Sequence, residues 1–403
     1  MTRSNGDVGL KSSASADPQG FRSSLMPLLL LACIFFLNFL SRIILAPFLM
    51  AVEHDLRLSH GEAGSLFLFI SMGYCMSLLL SGFLSARIGH RRTIIISALT
   101  LGLVLVVIAV SHSLAAVRSG LIFLGLATGL YLPSGIATIT ELVVPNHWGK
   151  AVAIHELAPN LGFVLAPILA QTLTVAWSWR GVLVLLGVVS LMMGGVFARF
   201  GPGGVSFGES PSPKILRQLA GQSGLWIMTV FFSLAIGSSM GIYTMIPLYL
   251  VTERGMEQGW SNTVVSVSRV GAMAVAVAGG WFVDRLGRKT AMGIFLAATG
   301  IATTWLGLVS DRWLNLSVCL QPMLAVCFFP AGFAVLAHIV PARMRSVSIS
   351  LVIPVGILIG AGLIPTGLGI LGEHQAFYVG FAAIGVVILA SVALLTLLRL
   401  PEG

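Results

Sequence analysis

Apolar runs of about 20 residues alternate with short polar connections along nearly the whole chain. A helix needs about 20 mainly apolar residues to cross a bilayer. The pattern predicts twelve such helices, over 24–51, 62–86, 93–112, 116–143, 149–172, 181–198, 224–251, 261–283, 290–310, 314–338, 346–371 and 376–398. Membrane strands would instead alternate apolar and polar positions in segments of about ten residues, and that rhythm is not seen. Two stretches interrupt the pattern. Residues 1–21 are polar and rich in Ser, Gly and Asp, which predicts a disordered tail. Residues 199–223 are rich in Gly, Pro and Ser and turn amphipathic from Pro213 to Leu219. They read as a linker between one six-helix bundle at 22–198 and a second at 224–399. No cleavable signal peptide is expected.

Composition agrees with an all-α membrane protein. Hydrophobic residues make up 57% of the 403 positions and charged residues 9%, against about 25% charged in soluble domains. The net charge of +9 does not imply nucleic-acid binding, because no soluble basic domain carries it. With an internal N-terminus, 16 of the 23 Lys and Arg lie on the cytoplasmic side. This asymmetry predicts both termini in the cytoplasm and, with the compact loops, a bacterial inner membrane. Cys33, Cys75, Cys319 and Cys327 all sit in apolar segments and read as packing residues. Neither zinc spacing nor a phosphate-binding loop is present, so no cofactor, enzymatic activity or ATP-driven pumping is expected.

A glycine-rich basic turn occurs at matching places in the two halves, between the second and third helices of each. The first copy runs Gly82-Phe83-Leu84-Ser85-Ala86-Arg87-Ile88-Gly89-His90-Arg91-Arg92. The second runs Gly280-Trp281-Phe282-Val283-Asp284-Arg285-Leu286-Gly287-Arg288-Lys289. Duplicated halves are a mark of alternating-access transporters. Glycine permits the tight turn, and the arginines are suited to helix C-terminal carbonyls and acidic neighbours.

On these motifs the chain resembles the major facilitator superfamily from residue 22 onward. The family signature Gly-x-x-x-Asp-Arg-x-Gly-Arg-Arg fits the second copy and departs at Ala86 in the first. The resemblance implies two pseudo-symmetric six-helix bundles and a gating role for Gly82, Arg87, Gly89, Arg91, Gly280, Asp284, Arg285, Gly287 and Arg288. Loss of the acid at Ala86 should weaken the latch of the first half, and Glu141, near the inner end of the fourth span, could compensate by pairing with Arg87. The first helix, Leu37-Asn38-Phe39-Leu40-Ser41-Arg42 followed by Asp55-Leu56-Arg57-Leu58-Ser59, is similar to the opening of organic-anion symporters in that superfamily. There the arginine helps bind the substrate anion and a preceding acid helps couple protons. Arg42 matches, whereas Ser41 replaces the acid.

The remaining candidates follow from the cost of polar groups in lipid. An arginine at mid-membrane costs at least about 2.5–3.5 kcal/mol, so it is expected to face a cavity or a partner. Arg42, with Asn38 one turn away, and Arg269 in the eighth helix are candidates to clamp a carboxylate. A tie between helices, or snorkelling of Arg269, is the simpler alternative. Tyr74, Tyr131, Tyr243 and Gln321 are further candidate cavity groups that would otherwise be ordinary helix contacts. Glu156 is the acid placed well inside a span; with His155 and Glu141 it is a candidate for proton coupling, or else a structural ion pair. The expected partners are a small anionic substrate, protons and the bilayer, with the protein acting as a monomer. An exporter of amphipathic compounds and a non-transporting receptor on the same scaffold remain the alternatives.

Overall fold

A computed structural model describes residues 18–174, 176–202, 207, 213–341 and 344–398. Eleven helical spans among these residues are long and apolar enough to cross a membrane. Spans 1 to 6 are Phe21–Leu56, His60–Ile88, His90–Ala109, Leu114–Leu142, Pro145–Leu173 and Trp179–Phe200. Span 7 is Ser223–Thr252, and spans 9 to 12 are Arg288–Leu308, Asp311–Ile339, Val347–Gly372 and Phe377–Thr396. The helix Gln258–Leu286 lies between the seventh and ninth and is span 8. An amphipathic helix, Pro213–Ala220, precedes span 7.

The helices outrun the apolar runs that predict them. The second is expected at 62–86 and extends over His60–Ile88, where a capping box of Ser59 and Glu62 satisfies its first amides. Backbone hydrogen bonding continues through polar flanks that hydropathy does not register. The first helix begins at Pro18, so residues 18–21 of the expected tail are helical. Residues 1–17 of that tail lie outside the described residues.

The two halves repeat one packing scheme. Span 1 packs on 5, 2 on 4 and 3 on 6; span 7 packs on 11, 8 on 10 and 9 on 12. The basic turns repeat as well. Gly89 and Gly287 both take φ of 80°, a left-handed region that strains any side chain. Two residues beyond each glycine, a basic side chain caps the last helix of its own half. Arg91 donates to Ala198 O at 2.6 Å, and Lys289 donates to Leu398 O at 2.7 Å. A cation at a helix C-terminus satisfies free carbonyls and opposes the negative end of the dipole.

Spans 4 and 10 break at matching points. Helix Leu114–Gly129 gives way to Tyr131–Leu142, and Asp311–Val326 to Phe328–Ile339. Pro133 and Pro330 each lack the amide that would bond four residues back, and this explains both breaks. Pro159 and Pro167 lie inside the unbroken helix Trp148–Leu173. Spans 7 and 11 carry wide π-turns at Gly237–Gly241 and Leu358–Leu363, which pack on each other.

The halves meet through span 2 on 11, span 5 on 8, and the bend of span 1 on 7. Hydrogen bonds that cross between them run from Gly61 N to Glu373 Oε1, Tyr243 Oη to Phe163 O, Thr263 Oγ1 to Gln171 Oε1, and Ser266 Oγ to Val164 O. All lie in the half of the molecule away from the basic turns, here called the far end. Among the described residues no ion pair joins the halves at the basic end.

Candidate functional site

Arg42 lies at the end of helix Pro18–Ile43 and is 4% exposed. Pro47, five residues further on, lacks the amide that would bond Ile43 O, and a short 3-10 turn, Ala46–Phe48, redirects the span. The guanidinium of Arg42 lies over two rings, 4.2 Å from the centroid of Tyr74 and 4.9 Å from that of Phe39. No carboxylate pairs with it among the described residues, and its Nε has no hydrogen-bond partner.

Arg269 occupies the corresponding situation in the second half. It is 6% exposed and lies over Phe163 at 4.4 Å and Tyr243 at 4.6 Å. Its Nε is also unpartnered. One terminal nitrogen donates to Ser239 O at 2.6 Å. That carbonyl belongs to the π-turn Gly237–Gly241, whose i→i+5 spacing disturbs the regular helical ladder. Gln321 uses the neighbouring carbonyl, Ser238 O, at 2.9 Å.

The two arginines are joined by aromatic rings. Phe39 meets Phe163 edge to face at 4.9 Å, and Phe163 meets Tyr243 at 4.7 Å. Tyr74, Arg42, Phe39, Phe163, Arg269 and Tyr243 therefore form one continuous stack through spans 2, 1, 5, 8 and 7. Each guanidinium–ring contact is worth about 2 kcal/mol when desolvated. This offsets part of the cost of burial without neutralising the charge. Two cations from opposite halves thus lie where the halves meet, each with an unpaired donor. Forked donors of this kind match a carboxylate.

The other predicted residues are placed differently. Asn38 is buried inside the first half and donates to Thr128 O at 2.9 Å, so it ties spans 1 and 4. Gln321 ties span 10 to span 7. Tyr131 points into the first half and donates to Leu31 O at 2.7 Å. Its ring and that of Phe35 stack on His155, which is fully buried. Glu156, expected to be buried, has a side chain 48% exposed and contacts His155 Nδ1 at 3.3 Å. It lies seven residues before Phe163, hence two helical turns below it on the same face and toward the basic end.

At that end Glu141 and Arg87 are both exposed, and no ion pair joins them among the described residues. The expected compensating pair is absent because the helix ends that carry the two groups present them outward. Asp284 and Arg285 are likewise exposed, with Arg285 over the Trp281 ring at 4.3 Å. Arg288 contacts His338 at 2.9 Å. Gly82 is half-buried in span 2. Gly280 lies in span 8, and its surroundings are outside the described residues.

Sequence reasoning missed Phe39, Phe163 and the π-turn. The small-residue cluster Gly237-Ser238-Ser239-Met240-Gly241 in an otherwise apolar span was the available signal. Phenylalanines in apolar spans give no signal of their own.

Comparison with known proteins agrees with this architecture. The chain is 25% identical over 338 residues to a 3-(3-hydroxy-phenyl)propionate transporter of Escherichia coli K12, covering 79% of this chain and 81% of that one. It is 23% identical over 273 residues to a hexuronate transporter of Bacillus subtilis 168, covering 63% of each. Its fold superposes on a bacterial homolog of the human lysosomal transporter Spinster, in an inward-facing and occupied conformation. That match has a TM-score of 0.78 at 15% identity and covers 94% of this chain and 97% of the other. The sequence profile of the Major Facilitator Superfamily matches residues 31–282 and 257–403, and the chain belongs to that superfamily.

Proposed function

We propose that this protein is a secondary transporter of a small organic anion, a carboxylate, held between Arg42 and Arg269 as two six-helix halves rock about the site. The observation that carries this reading is the pair of buried guanidiniums, one from each half, that lack a carboxylate partner. A membrane-embedded charge without a protein counter-ion is a functional feature by default. A substrate anion supplies the missing charge and draws both halves together. The names of the two relatives denote carboxylic acids, which supports the same class.

In this reading the basic end faces the cytoplasm of a bacterial inner membrane. The far end is closed and the basic end unlatched, so the conformation is inward-facing. Glu156 is half exposed two helical turns below Phe163, and close enough to Tyr74 for electrostatic interaction. We assign it the proton that couples uptake, in place of the acid absent at Ser41. The basic turns act as gates, Arg87 and Arg285 on the open side.

The test is counterflow in proteoliposomes against a panel of carboxylates, sugars and cationic drugs. Exchange of one or more carboxylates and none of the other classes is expected. Exchange of cationic drugs alone would replace the proposal with the amphipathic exporter. Saturable ligand binding without exchange would replace it with a receptor.

A further inference from the structure

Four groups in the first half form a chain of contacts that permits only certain proton placements. Tyr131 Oη lies 2.7 Å from Leu31 O and 3.1 Å from His155 Nε2. His155 Nδ1 lies 3.3 Å from Glu156 Oε1. Leu31 O can only accept. The tyrosine hydroxyl has one hydrogen, and the shorter contact takes it. The remaining contact then needs a hydrogen on His155 Nε2, which donates to the tyrosine oxygen. The other arrangement would set lone pair against lone pair at 2.7 Å inside a buried cluster, which is costly.

With Nε2 protonated, a neutral imidazole offers only a lone pair at Nδ1. The carboxylate also offers only lone pairs. A hydrogen must therefore lie between Nδ1 and Oε1. We infer that His155 and Glu156 together form a single proton-binding site, and that Tyr131 fixes its register. The site holds one proton as either imidazolium with carboxylate or imidazole with carboxylic acid. Tyr131 is a positioning residue: it acts by forbidding the tautomer that would leave the site empty without penalty. This inference rests on the proposed coupling role of Glu156 and extends it to two residues on other faces of the bundle.

The geometry also sets the route. Leu31 O closes the chain of contacts; Phe35 stacks on the imidazole with centroids 4.3 Å apart, and the Tyr131 ring lies beside it at 5.8 Å. Of the four groups only Glu156 is exposed, at 48%, so the proton enters and leaves through its carboxylate. The titratable and charged groups facing this cluster are Cys33 on span 1, near Tyr131, and Tyr74 on span 2, near Glu156 and beneath Arg42. A substrate anion arriving at Arg42 changes the field at Tyr74 and Glu156 together, which links substrate and proton occupancy.

The experiment has two readouts on the full-length protein. The first is the nitrogen spectrum of histidine-labelled protein in lipid bilayers, with His155→Gln identifying the resonance. Nε2 is expected to carry hydrogen at neutral pH in the wild type, and Tyr131→Phe to yield mixed tautomers. A bare Nε2 in the wild type overturns the inference whatever transport does. The second is uptake driven by an imposed pH gradient, run beside counterflow. Tyr131→Phe keeps the ring stack and removes the hydroxyl. It is expected to lower gradient-driven accumulation by about tenfold, the scale of one buried hydrogen bond, with counterflow retained. Loss of accumulation in Glu156→Gln but wild-type accumulation in Tyr131→Phe and His155→Gln overturns the shared site and leaves Glu156 as sole carrier. A wild type indifferent to pH overturns the coupling role, and the spectrum still decides where the proton sits.

Discussion

Closure of the far end rests on backbone contact that a single methyl group would disrupt. A Cβ at Gly369 of span 11 would lie 2.2 Å from His60 O and 2.8 Å from its carbonyl carbon, across the junction of the halves. A Cβ at Gly64 would lie 2.5 Å from Pro365 O. These obstacles are backbone atoms, so no rotamer change relieves them; the helices must separate. Overpacking of this kind costs about 1–3 kcal/mol, equivalent to about 5- to 150-fold in a two-state equilibrium. Gly369→Ala should therefore shift the population toward the far-open state by that factor. The gain in helix propensity, about 0.8–1.0 kcal/mol, applies in both states and cancels. Gly367→Ala is the control, because a Cβ there meets no atom within 4 Å. The assay is maleimide labelling of Gln171→Cys at the far end and Leu78→Cys at the junction of the halves toward the basic end, in a background without native cysteines. Gly369→Ala should speed labelling at 171 and slow it at 78. Equal labelling in the Gly369 and Gly367 variants would refute the claim that this seam sets the conformation.

Other consequences follow from the same contacts. Replacing Arg91 or Lys289 by Ala removes the cap on span 6 or span 12; each should cost about 0.3–1 kcal/mol, read as a small drop in melting temperature with substrate affinity unchanged. The Ser59 hydroxyl and the Gly61 amide hold Glu373 below the usual carboxylate range. Its contribution to far-end closure is therefore complete above about pH 4.5 and lost as pH falls through the depressed value. Labelling at 171 should rise on acidification in the wild type and lose that pH dependence in Glu373→Gln. The Tyr131→Phe outcome described above belongs to the same set.

The fold was legible because the bilayer imposes a coarse code. Apolar length marked the spans, and the repeated glycine turn marked the duplication. Arg42 and Arg269 were legible for the same reason, since an arginine in an apolar run is conspicuous. What surrounds them was not. Phe39 and Phe163 look like any lipid-facing or core phenylalanine, and their role comes from the crossing of spans 1, 5 and 8. Glu156 was placed inside the membrane from its depth along the span; its helix phase, shared with Phe163, leaves the side chain half exposed. Glu141 and Arg87 are both exposed and no ion pair joins them among the described residues. Proximity of helix ends in the sequence pattern does not fix which way two exposed side chains point. The lock on His155 depends on one hydroxyl hydrogen, which sequence pattern alone does not locate.

The central claim is that a guanidinium fork in each half binds the substrate anion. Its most direct test is calorimetric titration of the carboxylate identified by counterflow into wild type, Arg42→Lys and Arg269→Lys. Lysine keeps the charge and loses the planar pair of donors. The account predicts at least about tenfold weaker binding in each variant, the loss of one charge-assisted hydrogen bond, with the protein still folded and monodisperse. Wild-type affinity in both lysine variants would contradict it.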